Sequence, residues 1–244
     1  MATIPTTKIA PHAGRRWWWQ VLLGCGIVAP VWWAAMDVVG SLRYEGYSYI
    51  DQTISELGAE GAPIRDFMTV LSGIPYAVLM IAFGMGIWIT AGERRAQRIT
   101  AAVLIGEVVW GFVGGLAFPM ATREVIAAGQ ETLRNQMHAW YGIGMPMLLA
   151  LAIGFGSRLF GKRFRSFSYA AMLAMVVFGM LMGLQTSAMT ANEPTPWLGV
   201  EERVTAYVPM LWLVVLAVGL LQAQGTVAPR QLEQPTMTQQ PRAR

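Results

Sequence analysis

Charged residues are scarce in this chain. Only 13% of its 244 residues are charged, whereas 55% are hydrophobic. An ordinary soluble domain carries about 25% charged residues. So few charges cannot cover a globule of this size, and the apolar residues come in long stretches of the kind that cross a bilayer, which takes about 20 residues in a helix. The composition therefore excludes a soluble domain and indicates an integral membrane protein.

Cysteine and histidine are also rare. The one cysteine, Cys25, lies inside the first apolar stretch, which excludes a disulfide framework and a thiolate metal cluster. Two histidines are too few for a three-histidine zinc site, and only His138 lies outside the N-terminal tail, which excludes haem held by two membrane histidines. No nucleotide-binding glycine loop, serine elbow or cysteine pair is present. We therefore predict no metal and no cofactor.

The apolar stretches predict an all-α polytopic bundle of six transmembrane helices. The first stretch is too long for the hydrophobic region of a signal peptide, and no cleavage site follows it, so we expect an uncleaved helix. We expect residues 1–16 and 224–244 to be cytoplasmic tails, the second of them disordered because it is rich in Gln, Pro, Thr and Arg. The expected spans are 17–40, 64–91, 99–119, 138–160, 167–189 and 204–223.

The lysines and arginines predict the orientation of the bundle, because they concentrate in cytoplasmic loops. With six spans, connections rich in lysine and arginine alternate with connections that have few of them. We therefore expect both termini in the cytoplasm and the protein in a plasma or inner membrane. This topology accounts for the net charge of +4, so we predict no nucleic-acid partner. The basic side carries Lys8, Arg15, Arg16, Arg94, Arg95, Arg98, Arg158, Lys162, Arg163, Arg165, Arg230, Arg242 and Arg244, and the outer side only Arg43, Arg65, Arg123, Arg134 and Arg203.

Acidic residues show the reverse distribution and gather on the outer side. Acids contribute little to topology, so their excess needs another explanation. Simple solvation of exposed loops is one, and an outer site for cations, protons or polar substrates is the other. The outer acids are Glu45, Asp51, Glu56, Glu60, Asp66, Glu124, Glu131, Glu193, Glu201 and Glu202.

The outer segment 47–58 is the most distinctive part of the chain. Its Thr53 and Glu56 fit a capping box, in which each side chain satisfies a backbone N–H at the start of a helix. We therefore expect a short outer helix that ends at the glycine closing the segment. Asp51 and Ser55 are not explained by capping, and they share one face if this helix begins early enough.

Two acids lie within the expected spans. Glu107 is near the middle of the third span, where an ionised carboxylate costs about 2.5–3.5 kcal/mol. We expect it to point into the bundle, where either a structural hydrogen bond or a role in binding a proton or a ligand would explain it. Asp37 lies near the outer end of the first span, where it could reach water.

Further polar residues open the later spans. We expect His138 at the outer start of the fourth span, where an imidazole could act as general base or proton relay, or could simply bond water or a carbonyl. Glu201, Glu202 and Arg203 open the last span, either as an interfacial anchor or with Arg203 holding an anionic head group.

These features follow a fixed order on one side of the bundle: Asp51 with the segment 55–58, Pro119 before His138, and the segment 199–203 before the last span. In this order the chain resembles the bacterial and archaeal membrane family called domain of unknown function 998, from the first span to the sixth. The resemblance implies a six-helix membrane protein and supplies no activity. Glu107 lies outside the recurring pattern, whose residues here are Asp51, Ser55, Pro119, His138, Glu202 and Arg203.

The leading hypothesis is an outer polar pocket that binds or processes a small molecule or a lipid. Whether it is an enzyme stays open; an enzyme would use His138 as base, Asp51 to orient it, and Ser55 as nucleophile or to position water. The expected ligand-binding residues are Glu202, Arg203, Glu56, Asp37 and Glu107.

Two alternatives stay open. One is a proton-coupled transporter that uses Glu107 and Asp37 along a path between the helices. The other is a non-catalytic subunit whose polar face docks another protein. Membrane lipid is the expected surrounding partner in each case, and the sequence leaves the oligomeric state open.

Overall fold

The structure is a computed structural model that describes residues 17–230, with side chains to residue 224. The expected N-terminal tail and residues 231–244 lie outside the described residues. Within the described range the regular elements are helical, apart from one isolated β-bridge between Glu60 and Ala121. The helices are α1 Trp17–Arg43, α2 Ile54–Leu57, α3 Arg65–Thr90, α4 Arg95–Ala117, α5 Arg123–Ala127, α6 Leu133–Gly156, α7 Lys162–Leu184, α8 Thr186–Thr190 and α9 Leu198–Arg230.

Six of these helices are long and apolar enough to cross a membrane: α1, α3, α4, α6, α7 and α9. This confirms the prediction of an all-α chain with six membrane-spanning helices. Several helices start earlier than the apolar stretches suggest, because polar and charged residues lower the hydropathy of a helix end without ending the helix. Since α6 begins at Leu133, His138 lies in its second turn and not at its start.

The two ends of the bundle differ in their connections. One end holds segments 44–64, 118–132 and 185–197, which carry the short helices α2, α5 and α8, and we call it the polar end. The opposite end has only the short connections 91–94 and 157–161, and we call it the basic end. The candidate site residues named above lie at or near the polar end, except Glu107.

The six crossing helices form a closed ring. Each packs against its neighbour in sequence, and α9 returns to pack against α1. Trp212 and Phe83 are the largest fully buried side chains of the core. The Trp212 indole donates to Ser168 Oγ at 2.8 Å, and its ring passes so close to Gly156 that an added Cβ would lie 2.6 Å from it. Small residues permit such close approach between helices in lipid.

The burial of side chains on α6 and α7 differs between the polar end and the basic end of the bundle. α6 holds no buried residue between Asn135 and Ala152, and α7 holds none beyond Met175. Towards the basic end both helices bury side chains, including Ile153 and Ser168. Helices α6 and α7 therefore bury several side chains near the basic end and few near the polar end. In that stretch α6 still packs closely against α4, since a Cβ at Gly144 would lie 2.8 Å from the Trp110 indole.

The polar end of α3 contains a π-helical segment, Met68–Gly73. Such segments inside α-helices often occur at functional sites. The indole N–H of Trp32 donates to the carbonyl oxygen of Leu71 at 2.8 Å, which satisfies one backbone group of this irregular stretch. Ser72 is 2% exposed, and its hydroxyl has no hydrogen-bond partner within residues 17–224.

Candidate functional site

The first and last helices are joined at the polar end by a buried ion pair. Asp37 of α1 is 0% exposed and Arg203 of α9 is 3% exposed. Arg203 Nε donates to Asp37 Oδ2 at 2.9 Å, and a terminal guanidinium nitrogen donates to Oδ1 at 3.0 Å. Tyr207 donates a short hydrogen bond to the same carboxylate. The interpretation that Asp37 could reach water is wrong, because Arg203 and Tyr207 cover it and satisfy its charge inside the bundle.

Arg203 also binds the loop that leads into α2. It donates to the carbonyl oxygens of Tyr49 at 2.7 Å and Gln52 at 3.1 Å, and to the Tyr47 hydroxyl at 2.9 Å. Its guanidinium carbon lies 3.5 Å from the centre of the Tyr49 ring, a cation–π contact. Burial raises the pKa of the Tyr47 phenol, so Tyr47 stays protonated and donates to Gln52. Arg203 therefore has no free N–H with which to hold an anionic head group.

Gly199 makes this arrangement possible. A Cβ at this position would lie 2.3 Å from the Gln52 carbonyl oxygen and 2.7 Å from that of Tyr49. Real side chains essentially never approach backbone that closely, so only glycine lets the start of α9 pass against the loop. The backbone N–H of the next residue, Val200, donates to the carbonyl oxygen of Ile50 at 3.1 Å.

A second buried ion pair lies beside the first. The predicted capping box of α2 is confirmed: Glu56 Oε2 accepts from the Thr53 backbone N–H at 2.7 Å, and the Thr53 side chain accepts from the Glu56 N–H. The Glu56 carboxylate also binds Arg123 at 2.6 and 2.9 Å. Burial opposes ionisation of Glu56, but the bonds from Arg123, Thr53 and Gln52 outweigh it and lower its pKa. Arg123 also donates to Thr195 Oγ1 at 2.9 Å.

Ser55 and Glu202, both expected site residues, are in direct contact. Ser55 Oγ donates to Glu202 Oε1 at 2.8 Å, and the other carboxylate oxygen accepts a short hydrogen bond from the Ile54 backbone N–H. Glu202 thus caps the first turn of α2 from outside the helix, where an anion is favourable. Ser55 is held as a donor to a carboxylate and is not paired with a base.

Asp51 precedes α2 and does not share its face with Ser55. Its carboxylate accepts from Ser48 Oγ at 2.9 Å and from the backbone N–H of Trp197 at 3.1 Å. Trp197 has a positive φ of 68°, which is unusual for a bulky residue. Asp51 therefore holds the strained turn that leads into α9.

His138 lies elsewhere, against the end of α4. Its Nδ1 is 2.8 Å from the carbonyl oxygen of Phe118, and its ring meets that of Tyr141 edge-on. Asn135 in the previous turn donates to Glu60 Oε2 and to the carbonyl oxygen of Pro119, both at 3.1 Å. Among the described residues no hydrogen bond joins His138, Asp51 and Ser55, so the three do not form a hydrogen-bonded catalytic set.

Glu107 is the buried acid that these networks leave out. It is 5% exposed, lies inside the bundle as expected, and within residues 17–224 its side chain makes no hydrogen bond. The structural hydrogen bond offered as one explanation of Glu107 is therefore absent from the described part of the chain.

A cavity of about 200 Å³ opens at the polar end beside the Glu56–Arg123 pair. Glu124 projects from α5 at its edge and is exposed. We call it the Glu124 cavity. In the described part of the chain no group of three histidine, cysteine, aspartate or glutamate side chains could hold a metal ion. The cavity is lined by Tyr44, Gln52, Glu56, Ala59, Thr122, Arg123, Glu124 and Asn192.

Sequence reasoning missed several residues of these networks. In the sequence Arg123 counts only as a loop charge. A base in a short connection, so close to an acidic loop segment, is nevertheless a candidate ion-pair partner. Tyr207 carried no signal of its own, and Gly199 entered only as the first residue of the segment 199–203, with no role assigned to it. Their roles depend on contacts with residues about 150 or more positions away in the sequence.

Comparisons with known proteins agree with this architecture. Searches of the curated proteins and of the solved structures found no match. One family model, described as "Protein of unknown function (DUF998)", matches residues 27–219. This match confirms the resemblance seen in the sequence, and it reaches from the first crossing helix into the last. The chain therefore belongs to the DUF998 family and is a multi-pass membrane protein of that family.

Proposed function

We propose that the polar end faces away from the cytoplasm and binds a small positively charged molecule in the Glu124 cavity. The distribution of lysine and arginine supports this orientation, because the basic end carries Arg94, Arg158 and the charged first turns of α4 and α7. Both termini then lie in the cytoplasm, and the protein resides in a plasma or inner membrane. The observation that carries the binding proposal is the cavity itself, which is bordered by a buried ion pair and an unpaired carboxylate.

The charges around the cavity favour a cation. Glu56 and Arg123 neutralise each other, because their side chains are bound to each other at 2.6 Å. Glu124 remains, and its carboxylate makes no ion pair or hydrogen bond in the described structure. Burial, and then the charges of Glu124 and Glu56, raise the pKa of Tyr44, so its phenol stays neutral. The cavity therefore offers one net negative charge and an aromatic ring, the combination that binds ammonium groups.

The geometry favours binding over catalysis. Ser55 is committed to Glu202, and the Asp51 carboxylate holds the turn before α9. His138 bonds a carbonyl at the end of α4. A reaction with these three groups would require each to leave its present partner, whereas binding in the Glu124 cavity requires no rearrangement. At about 200 Å³ the cavity is smaller than drug-sized ligand pockets, which hold about 300–1,000 Å³.

Isothermal titration calorimetry of the full-length protein in lipid nanodiscs tests this proposal. The probes are tetramethylammonium, choline and putrescine, which differ in size and charge. We expect saturable binding of at least one probe, and we expect Glu124→Gln to weaken it about tenfold, the equivalent of about 1.4 kcal/mol. Glu131→Gln is the matched control, because it removes an acid from the same connection outside the cavity lining. Equal loss in both variants, or no binding by any probe, would refute the proposal.

A further inference from the structure

Glu107 lies deep inside the bundle without a partner. It precedes the end of α4 at Ala117 by ten residues, which places it about 15 Å along the helix from the polar end. It is 5% exposed and its carboxyl makes no hydrogen bond among the described residues. Unpartnered ionisable groups at this depth are costly, and they are a functional-site hypothesis by default.

Aromatic residues surround this carboxyl. Tyr76 of α3 and Tyr141 of α6 are within electrostatic reach of Glu107. Tyr141 donates to the carbonyl oxygen of Gly111 at 3.0 Å, one turn beyond Glu107 on α4. Trp33 of α1 packs against Tyr76 with ring centres 6.3 Å apart. Two tyrosines thus lie near Glu107, and the ion pairs within residues 17–224 do not include its carboxyl.

A second polar group in the same half of the bundle is also unpartnered. Ser72 is 2% exposed, its hydroxyl has no partner, and it precedes Tyr76 by one helical turn on α3. Residues four apart lie on the same face of a helix. Among the described residues, two buried polar groups without hydrogen-bond partners, Ser72 and Glu107, therefore lie in the polar half of the interior.

In this half of the bundle α6 packs closely against α4, and α6 and α7 share fewer contacts than the other neighbouring helices of the ring. The stretch of α6 between Asn135 and Ala152 has no buried residue, and neither has α7 beyond Met175. A Cβ added at Gly142 or Gly183 in these stretches would meet no atom within 4 Å. The outward faces here are apolar, so a molecule that enters from the side must itself be lipophilic.

The other half is closed. Leu104, one turn before Glu107, is 0% exposed, as are Ile153 and Trp212. Glu107 therefore lies next to a densely packed core, whose buried polar side chains Thr100 and Ser168 hold hydrogen bonds within the protein. This geometry suits a site that holds a ligand.

We propose that Glu107 anchors a binding site for a lipophilic amine that enters from the bilayer between α6 and α7. An uncharged amine dissolves in the bilayer and takes the proton of the Glu107 carboxyl, which leaves an ammonium–carboxylate pair. The ammonium then donates to the carboxylate and lies against the ring of Tyr76 or Tyr141, while its alkyl chain lies along the apolar sides of α6 and α7. This site is separate from the Glu124 cavity and does not depend on it.

Carbodiimide labelling of the full-length protein in phosphatidylcholine nanodiscs tests this site. Dicyclohexylcarbodiimide is apolar and reacts with protonated carboxyls inside membranes, and mass spectrometry of peptides locates the product. We expect labelling at Glu107, and we expect N,N-dimethyldodecylamine to slow it at least tenfold more than dodecanol at equal membrane concentration; this tertiary amine forms no amide with the activated carboxyl. Equal protection by the two compounds would show that the apolar chain alone fills the space, and it would overturn the proposal. Absence of label at Glu107 would overturn it as well.

The variant Glu107→Gln supplies a second measurement. We expect its affinity for N,N-dimethyldodecylamine to fall at least tenfold while its affinity for dodecanol is unchanged. Choline binding at the Glu124 cavity should also be unchanged, which separates failure of this site from failure of the proposed function. If Glu107→Gln does not fold, the labelling of the unmodified protein still decides the question. If the variant folds and binds N,N-dimethyldodecylamine as the parent does, the carboxyl is not the anchor.

Discussion

Replacing Arg203 by methionine should destabilise the protein more than any other single change at the polar end. The substitution keeps most of the side-chain length but removes every N–H. The Asp37 carboxylate, 0% exposed, then keeps only the bond from Tyr207 and has no opposite charge. The carbonyl oxygens of Tyr49 and Gln52 lose a donor at the same time. Breaking a buried ion pair by removing one partner costs about 3–5 kcal/mol.

Thermal unfolding in detergent, followed by tryptophan fluorescence, measures this loss. For a domain of about 150–250 residues, each 1 kcal/mol shifts Tm by about 2–4 °C, so Arg203→Met should lower Tm by about 6–20 °C. Arg134→Met is the matched control. Among the described residues Arg134 bonds only the carbonyl oxygens of Leu116 and Ala117, and it is exposed, so its loss should shift Tm far less.

A double variant separates the ion pair from the loop contacts. Asp37→Leu combined with Arg203→Met removes both charges, so it should be more stable than the sum of the two single losses predicts. The carbonyl contacts of Arg203 stay broken, so stability should return only in part. A Tm for Arg203→Met within about 3 °C of the parent, or strict additivity in the double variant, would show that the pair does not hold α1 and α9 together.

Two further changes probe the same end of the bundle. Gly199→Ala should lower stability by about 1–3 kcal/mol, because its Cβ would overlap the Gln52 carbonyl oxygen, while Gly183→Ala, with open space around it, should leave Tm unchanged. The pKa of Glu56 is lowered in the folded protein, so its stabilisation is complete above its unfolded pKa of about 4.5 and is lost as the pH falls through the lower folded value. Glu56→Gln should therefore be less stable at neutral pH and should lose less of its Tm on acidification, and parallel Tm–pH curves for variant and parent would contradict this.

The number of spans and the start of α2 could be predicted because both depend on neighbouring residues. Apolar length decides whether a helix can cross the bilayer. The capping box needs only Thr53 and Glu56, three residues apart. Local patterns of this kind do not depend on contacts with distant parts of the chain, and the structure contains both of them.

The partners of the charged residues could not be predicted in the same way. Asp37 and Arg203 are 166 positions apart, and only the return of α9 to α1 brings them together. A signal did exist, since an acid inside the first span and a base opening the last one are the charges that a bilayer forces to pair. Arg123 gave a weaker signal, because a base in a loop is usually solvated and here it is 9% exposed.

The expected grouping of His138, Asp51 and Ser55 depended on a distance that the sequence does not contain. All three lie at the polar end, but α6 carries His138 against the end of α4. Asp51 turns towards Trp197 at the start of α9, and Ser55 reaches Glu202 in the first turns of the same helix. Residues at one end of a bundle must lie at a similar depth in the membrane. Their positions around the ring of helices are not determined by this.

The pairing of α1 with α9 also bears on how the chain is made. Asp37 leaves the ribosome early and Arg203 late, so during synthesis the first five crossing helices occupy the bilayer with an acid whose partner has not yet been translated. A carboxylate at the centre of a membrane helix costs about 2.5–3.5 kcal/mol, and one nearer the helix end, as Asp37 is, costs less. The nascent protein therefore remains incomplete until α9 inserts. A chain truncated before Arg203 would keep an unpaired acid in its first helix. Such polar defects are the kind of lesion by which membrane proteases distinguish unfinished products from finished ones.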